Sequence, residues 1–226
     1  MEILKRNLNA EATQKSYKKV VWFYDFWSWM TERKATKYAL EFAKIKDKET
    51  ILEVACGTGV VFKQIVRQNP DGKNIGIDLS PDMLRKAKMR LKKAGVYNYE
   101  LREGNALQLD FEDNSFDLVV NNFMVDLMPL DAFDTIASEL FRVTKPGGRV
   151  VITTFSFGTK SIHKFWLWIA KRMPDLLTGC RPVSYKKHLI KAGFTIEKNM
   201  EVSQNTFPSE VMLGRIPIIE PKGTGE

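Results

Sequence analysis

Glu53, Asp78 and Asn105, with two nearby glycines, stand where a nucleoside could be held. In ILEVACGTGV an acid, Glu53, interrupts an apolar run, and Gly57 and Gly59 follow in a turn of small residues. A P-loop needs Gly-Lys-Ser/Thr after its spaced glycines, but Gly59 is followed by Val-Val-Phe. A dinucleotide turn needs a third small residue for close helix–strand packing, and that position is Phe62. Asp78 closes the run NIGIDL, where a carboxylate at a strand's carboxyl edge can accept two hydrogen bonds from a ribose diol. Asn105, in EGNALQLD, ends the next strand, where an amide can pair with an adenine edge. None of these residues brings positive charge for a pyrophosphate. The implied ligand has a nucleoside and no phosphate chain, and Glu53 suits a cationic or amino group upon it.

The elements that must hold these residues alternate along the chain. ETILEVAC, NIGIDL, YNYELREGN, FDLVVNNF and RVVITTF read as strands. GTGVVFKQIVRQ, SPDMLRKAKMRLKKAG and DAFDTIASELFRVTKPGG read as the helices between them. Ser80 is the N-cap of the second of these, with Pro81 in its first turn, and glycine closes the third. Apolar strands alternating with amphipathic helices predict a doubly wound α/β fold with a mostly parallel sheet. After the helix VSYKKHLIKAG, TIEKNMEVSQ and PSEVMLGRI read as a hairpin, which gives the sheet an antiparallel last strand. One domain spans 1–226: a helical cap to 46, a ligand-binding core over 47–155 and a second cap segment over 156–182. A final helix and hairpin over 183–216 and a tail complete it.

Composition narrows the setting. The formal net charge is +8, much of it in SPDMLRKAKMRLKKAG, where Leu84, Ala87, Leu91 and Ala94 form the inward stripe and the basic residues a solvated face. Two cysteines, Cys56 and Cys180, match no metal spacing and no disulfide framework, so no metal is expected. No apolar run is long enough to span a bilayer, and MEILKRNLNAEATQ lacks an apolar signal core. The expected location is the cytoplasm, with peripheral attachment to a membrane left open.

The ordered series of motifs resembles the class I S-adenosylmethionine-dependent methyltransferases, a Rossmann-like family with a seven-stranded sheet. LEVACGTG resembles the family's acid–Gly–x–Gly–x–Gly motif, with Ala55 at its first glycine. GIDLSPDML resembles the ribose-acid strand, GNALQLDFEDNSFDLVV the adenine and fourth-strand motifs, and LFRVTKPGGRVVITTF the segment before the fifth strand. The resemblance implies S-adenosyl-L-methionine as cofactor. It assigns Glu53, Ala55, Gly57 and Gly59 to the methionine and sugar side, Asp78 to the ribose, and Leu79, Asn105 and Ala106 to adenine. Asn121 would stand beside the sulfonium, and Tyr24 would close over the cofactor.

The acceptor is read less directly. Asn121-Asn122-Phe123-Met124 lacks the prolines of nucleic-acid amino methyltransferases, so an RNA acceptor is a minor alternative, and a non-catalytic cofactor-binding partner protein is another. The overall look is that of quinone-biosynthesis C-methyltransferases and phospholipid N-methyltransferases. Met124-Val125, followed by Asp126, replaces the Arg-Asn pair of the quinone enzymes, which leaves amine and oxygen acceptors open beside quinone-like ones. All five tryptophans fall in VVWFYDFWSWM and SIHKFWLWIAKRM. Ile162, Phe165, Trp166, Ile169 and Met173 form one apolar stripe, with Lys164 and Lys171 opposite. These segments predict a lipophilic small-molecule acceptor and leave contact with a membrane surface open. His163, Tyr185, Arg181 and Asp126 are the candidates for catalysis. His163 is expected at the surface, and Tyr185 and Arg181 near the pocket rim.

Overall fold

The computed structural model describes residues 30–172 and 180–218. Tyr24, Trp22, Trp27, Trp29 and Met173 lie outside them, as does the tail from 219. The elements in order are α1 (Arg33–Ala43), β1 (Thr50–Val54), α2 (Val60–Gln68), β2 (Lys73–Asp78), α3 (Pro81–Lys93) and β3 (Glu100–Glu103). They continue with β4 (Phe116–Asn122), two short 3-10 turns (Val125–Leu127 and Leu130–Ala132), α4 (Phe133–Val143), β5 (Thr144–Phe155) and α5 (His163–Arg172). α6 (Lys186–Ala192), β6 (Thr195–Gln204) and β7 (Phe207–Arg215) close the series.

The seven strands form one sheet in the order β3-β2-β1-β4-β5-β7-β6. β1 to β5 pair in parallel, and β7 runs antiparallel to both β5 and β6. The expected fold and its antiparallel last strand are both present. The chain starts at the centre, winds outward to β3 and returns to β4 on the other side of β1. That reversal opens a crevice at the carboxyl ends of β1 and β4, where sheets of this kind take ligands.

Both faces of the sheet are covered. Ile51, Leu118, Val120, Val151 and Phe155 pack with residues of α1, α2, α3 and α5. Leu52, Val54, Ile75, Val119, Val150 and Ile152 pack with α4 and α6. The N-cap of α3 is as expected, with the Ser80 hydroxyl accepting from the Met83 N–H. The end of α4 is not. The helix stops at Val143, and Thr144 is already extended rather than running on to a closing glycine. Pro146 cannot continue a helix and disfavours the α conformation in the residue before it. Gly147, at φ 74°, instead lies in a bulge where the β4–β5 register slips between Phe116 and Leu118.

Candidate active site

The turn after β1 is built on backbone that side chains rarely adopt. Ala55, Gly57 and Gly59 have φ of 58°, 53° and 76°. The two glycines serve different ends. A Cβ on Gly57 would meet nothing within 4 Å, so its backbone faces the crevice. A Cβ on Gly59 would come within 2.9 Å of Ala87 Cβ, so that glycine lets α3 pack on the turn. Arg90 ties the two together by donating to the Thr58 carbonyl and hydroxyl at 2.8 and 2.6 Å.

Asp78 ends β2 beside this turn. Its Oδ2 accepts from the Gly57 N–H at 2.8 Å and its Oδ1 from the Ser80 N–H at 2.9 Å. Burial pushes its carboxyl up, and those two N–H groups pull it back. Each oxygen retains a lone pair for a ligand. A cleft of about 870 Å³, part of it open to solvent, runs from here along the carboxyl edge of the sheet. Ala55, Gly57, Asp78, Leu79, Asn105 and Ala106 line it, so the structure brings six of the expected residues together. Leu79, 40% exposed, puts an apolar side chain on the lining. Asn105 lies in a turn beyond β3, not in the strand, and its Oδ1 accepts from the Leu107 N–H at 3.0 Å.

Three expected residues fall elsewhere. Gly59 packs against α3 and does not line the cleft. Asn121 is fully buried and donates from Nδ2 to the Val54 carbonyl at 2.8 Å, stitching β4 to β1 at the reversal. Strand alternation gives the cleft to its neighbour Asn122 instead. Glu53 is buried beneath the cleft. Desolvation pushes its carboxyl well above the usual range, with the Asn122 amide beside it working the other way. Tyr24 lies outside the described residues. Phe123, Met124, Leu127 and Met128 form the cleft's apolar end, and the sequence reading missed them as well as Asn122. For Asn122 the signal is the alternation in FDLVVNNF, readable only once the strand's neighbours are known, while Met124, Leu127 and Met128 lie beyond the strand, in and beside a 3-10 turn.

The catalytic candidates separate. Tyr185 is buried in the core, not at a rim. Its hydroxyl donates to the Phe133 carbonyl at 3.1 Å, and burial pushes its phenol far up. His163 is 1% exposed, contrary to the expected surface position. Its Nδ1 accepts from the Lys160 N–H at 3.3 Å and lies 3.7 Å from the Glu201 carboxylate. Arg181 is also buried, not rim-exposed: its backbone N–H donates to the Asp126 carbonyl and its guanidinium to the Met128 carbonyl. Asp126 is fully buried, and desolvation pushes its carboxyl up to about 6, against the pull of Cys180 and Arg181. The inward side of α5 is His163, Trp166 and Ile169, while Ile162 and Phe165 from the expected stripe are half exposed.

Known proteins resemble this chain at the level of family and fold. The methyltransferase-domain family matches residues 45–194. A demethylmenaquinone methyltransferase of Lactococcus lactis is 42% identical over 130 residues, covering 56% of this chain and 51% of the relative. The Geobacillus stearothermophilus demethylmenaquinone methyltransferase is 38% identical over 122 residues, covering 51% and 50%. The chain thus spans about half the length of these relatives. N-methyltransferase NodS of Bradyrhizobium japonicum, solved with S-adenosyl-L-homocysteine, superposes with a TM-score of 0.64 at 16% identity, covering 82% and 87%.

Proposed function

The chain belongs to the methyltransferase-domain family, and from that premise we propose that it transfers a methyl group from S-adenosyl-L-methionine to a lipophilic, quinone-type acceptor. The observation that carries the cofactor is the lining of the cleft. It offers the Asp78 carboxylate, the open backbone at Gly57 and the apolar Leu79, and no lysine or arginine. A nucleoside fits such a site and a pyrophosphate does not. Asp78 would hold the ribose hydroxyls, Gly57 would admit the sugar and methionine at close range, and Leu79 and Ala106 would pack on adenine.

When bound, the cofactor supplies an electrophilic methyl on a sulfonium. The chain's part is to hold the acceptor in line and keep water out, because positioning supplies most of the acceleration in such a displacement. The apolar end formed by Phe123, Met124, Leu127 and Met128 suits an acceptor without charge, and the two demethylmenaquinone relatives support the quinone class. Ile162, just before α5, and Phe165 and Trp168 on it lie exposed among the exposed Lys160, Lys164 and Arg172. They support shallow docking on an anionic membrane at the cytoplasmic face, from which such an acceptor would be drawn. No helix of the described residues is long and apolar enough to cross a membrane.

Titration calorimetry with S-adenosylmethionine, S-adenosylhomocysteine and NAD tests the cofactor. The first two should bind and NAD should not. Asp78→Ala should weaken both by about a hundredfold, roughly two hydrogen bonds to a charged acceptor. Unchanged affinity in Asp78→Ala would remove the assignment.

A further inference from the structure

Two buried hydroxyls at the carboxyl end of the central strands lack partners among the described residues. Thr153 and Ser209 are 0% and 1% exposed, yet neither Oγ has a hydrogen-bond partner among the described residues. Both lie on one face. Strand alternation puts Thr153 with Val151 and Phe155 on β5, and Ser209 with Val211 and Leu213 on β7, and those apolar neighbours share one core. Asn122 joins them from β4, on the face of Leu118 and Val120. It stands directly opposite Thr153, while Ser209 pairs with Phe155 and so lies diagonal to Thr153. The Asn122 amide lies beside the Glu53 carboxyl and draws its proton affinity down, and neither its nitrogen nor its oxygen meets full hydrogen-bond geometry among the described residues. Asn122 also lines the cleft. A row of unpaired polar groups therefore begins where the cleft ends and crosses β4, β5 and β7.

We propose that this row is the polar floor of the acceptor site, with the Asn122 amide and the Thr153 and Ser209 hydroxyls holding the ring oxygens of the acceptor. The inference rests on the quinone-type reading above and adds the residues that would recognise the ring. An amide and two hydroxyls both donate and accept, which matches a neutral ring bearing oxygens on opposite sides. The buried Glu53 carboxyl shares this face, its Oε2 is likewise unpaired among the described residues, and burial favours its neutral form. Buried polar groups left unpaired cost stability, and sites that bind ligands are where such a cost persists.

Thr153→Val keeps the shape and removes the hydroxyl, Ser209→Ala does the same on β7, and Thr153→Ser restores an oxygen. The full chain would be assayed with S-adenosylmethionine and a short-chain demethylmenaquinol, reading adenosylhomocysteine formation, quinol binding in the presence of adenosylhomocysteine, cofactor affinity and Tm. Each of Thr153→Val and Ser209→Ala should lower kcat/KM and quinol affinity by about tenfold, the share of one hydrogen bond. Cofactor affinity should be unchanged and Tm equal or higher, and Thr153→Ser should recover most of the loss. Parent protein that methylates the quinol while Thr153→Val and Ser209→Ala match it would overturn the row alone. Parent protein that binds the cofactor but neither binds nor methylates the quinol would overturn the acceptor reading and the row with it.

Discussion

At the scale of single residues, the site is made of groups held in states they would not adopt alone. Ala55 and Phe123 both take positive φ at the cleft, where alanine and phenylalanine are disfavoured. That explains why glycine suits the position of Ala55 in the resembling motif. Asp126 and Glu53 are carboxyls buried deeply enough that desolvation favours their protonated forms. For Asp126 the sign follows directly. Its folded value of about 6 exceeds the ordinary 3.8, so the folded chain binds this proton more tightly. Its contribution to stability is fully present below about pH 4 and is lost as pH rises through 6, by roughly 3 kcal/mol at most. Asp126→Asn should match the parent at pH 4 and become the more stable of the two between pH 6 and 7. Urea midpoints at four pH values check this, and parallel profiles would show that Asp126 is not held protonated.

At the scale of elements, what fixes the site is how the chain is tied together at a distance. Arg149, on β5, donates to both Glu49 oxygens at 2.8 and 2.9 Å and to the carbonyls of Ala43 and Lys44 at the end of α1. It is 8% exposed, so its loss would leave a mostly buried carboxylate and two carbonyls without their partner. Arg149→Ala should therefore cost about 3–5 kcal/mol in chemical denaturation, and Glu49→Gln in that background should return part of it. A loss below about 1 kcal/mol would mean that the pair behaves as an exposed one. The elements also show how far local pattern reaches. The cap of α3 at Ser80 was legible because capping is local chemistry. The end of α4 was not, because Thr144 leaves the helix to pair with Phe116 on a strand distant in sequence.

At the scale of the whole molecule, the cleft and the exposed side of α5 follow the carboxyl ends of the central strands. The Phe165 and Trp168 rings stack with centroids 6.4 Å apart, both about half exposed. With Lys160, Lys164 and Arg172 on the same stretch, the protein should float with phosphatidylglycerol vesicles and not with phosphatidylcholine ones, and added salt should weaken the association. Phe165→Ser with Trp168→Ser should abolish flotation while leaving cofactor affinity unchanged. Sedimentation of the parent protein away from both vesicle types would count against docking.

The sequence by itself determined the fold class, the glycine turn, Asp78 and the family resemblance, because each rests on local spacing: strand and helix periods, a turn and an acid at a strand's end. Only the tertiary structure decided between adjacent residues. It turned Asn122 to the cleft and Asn121 into the sheet, sank Glu53 beneath the site, buried His163, and moved Tyr185 from a pocket rim into the core. It also aligned Thr153 with Asn122. Which face a strand residue meets, and what lies there, depends on pairing with strands far along the chain, and a local pattern carries no record of that partner.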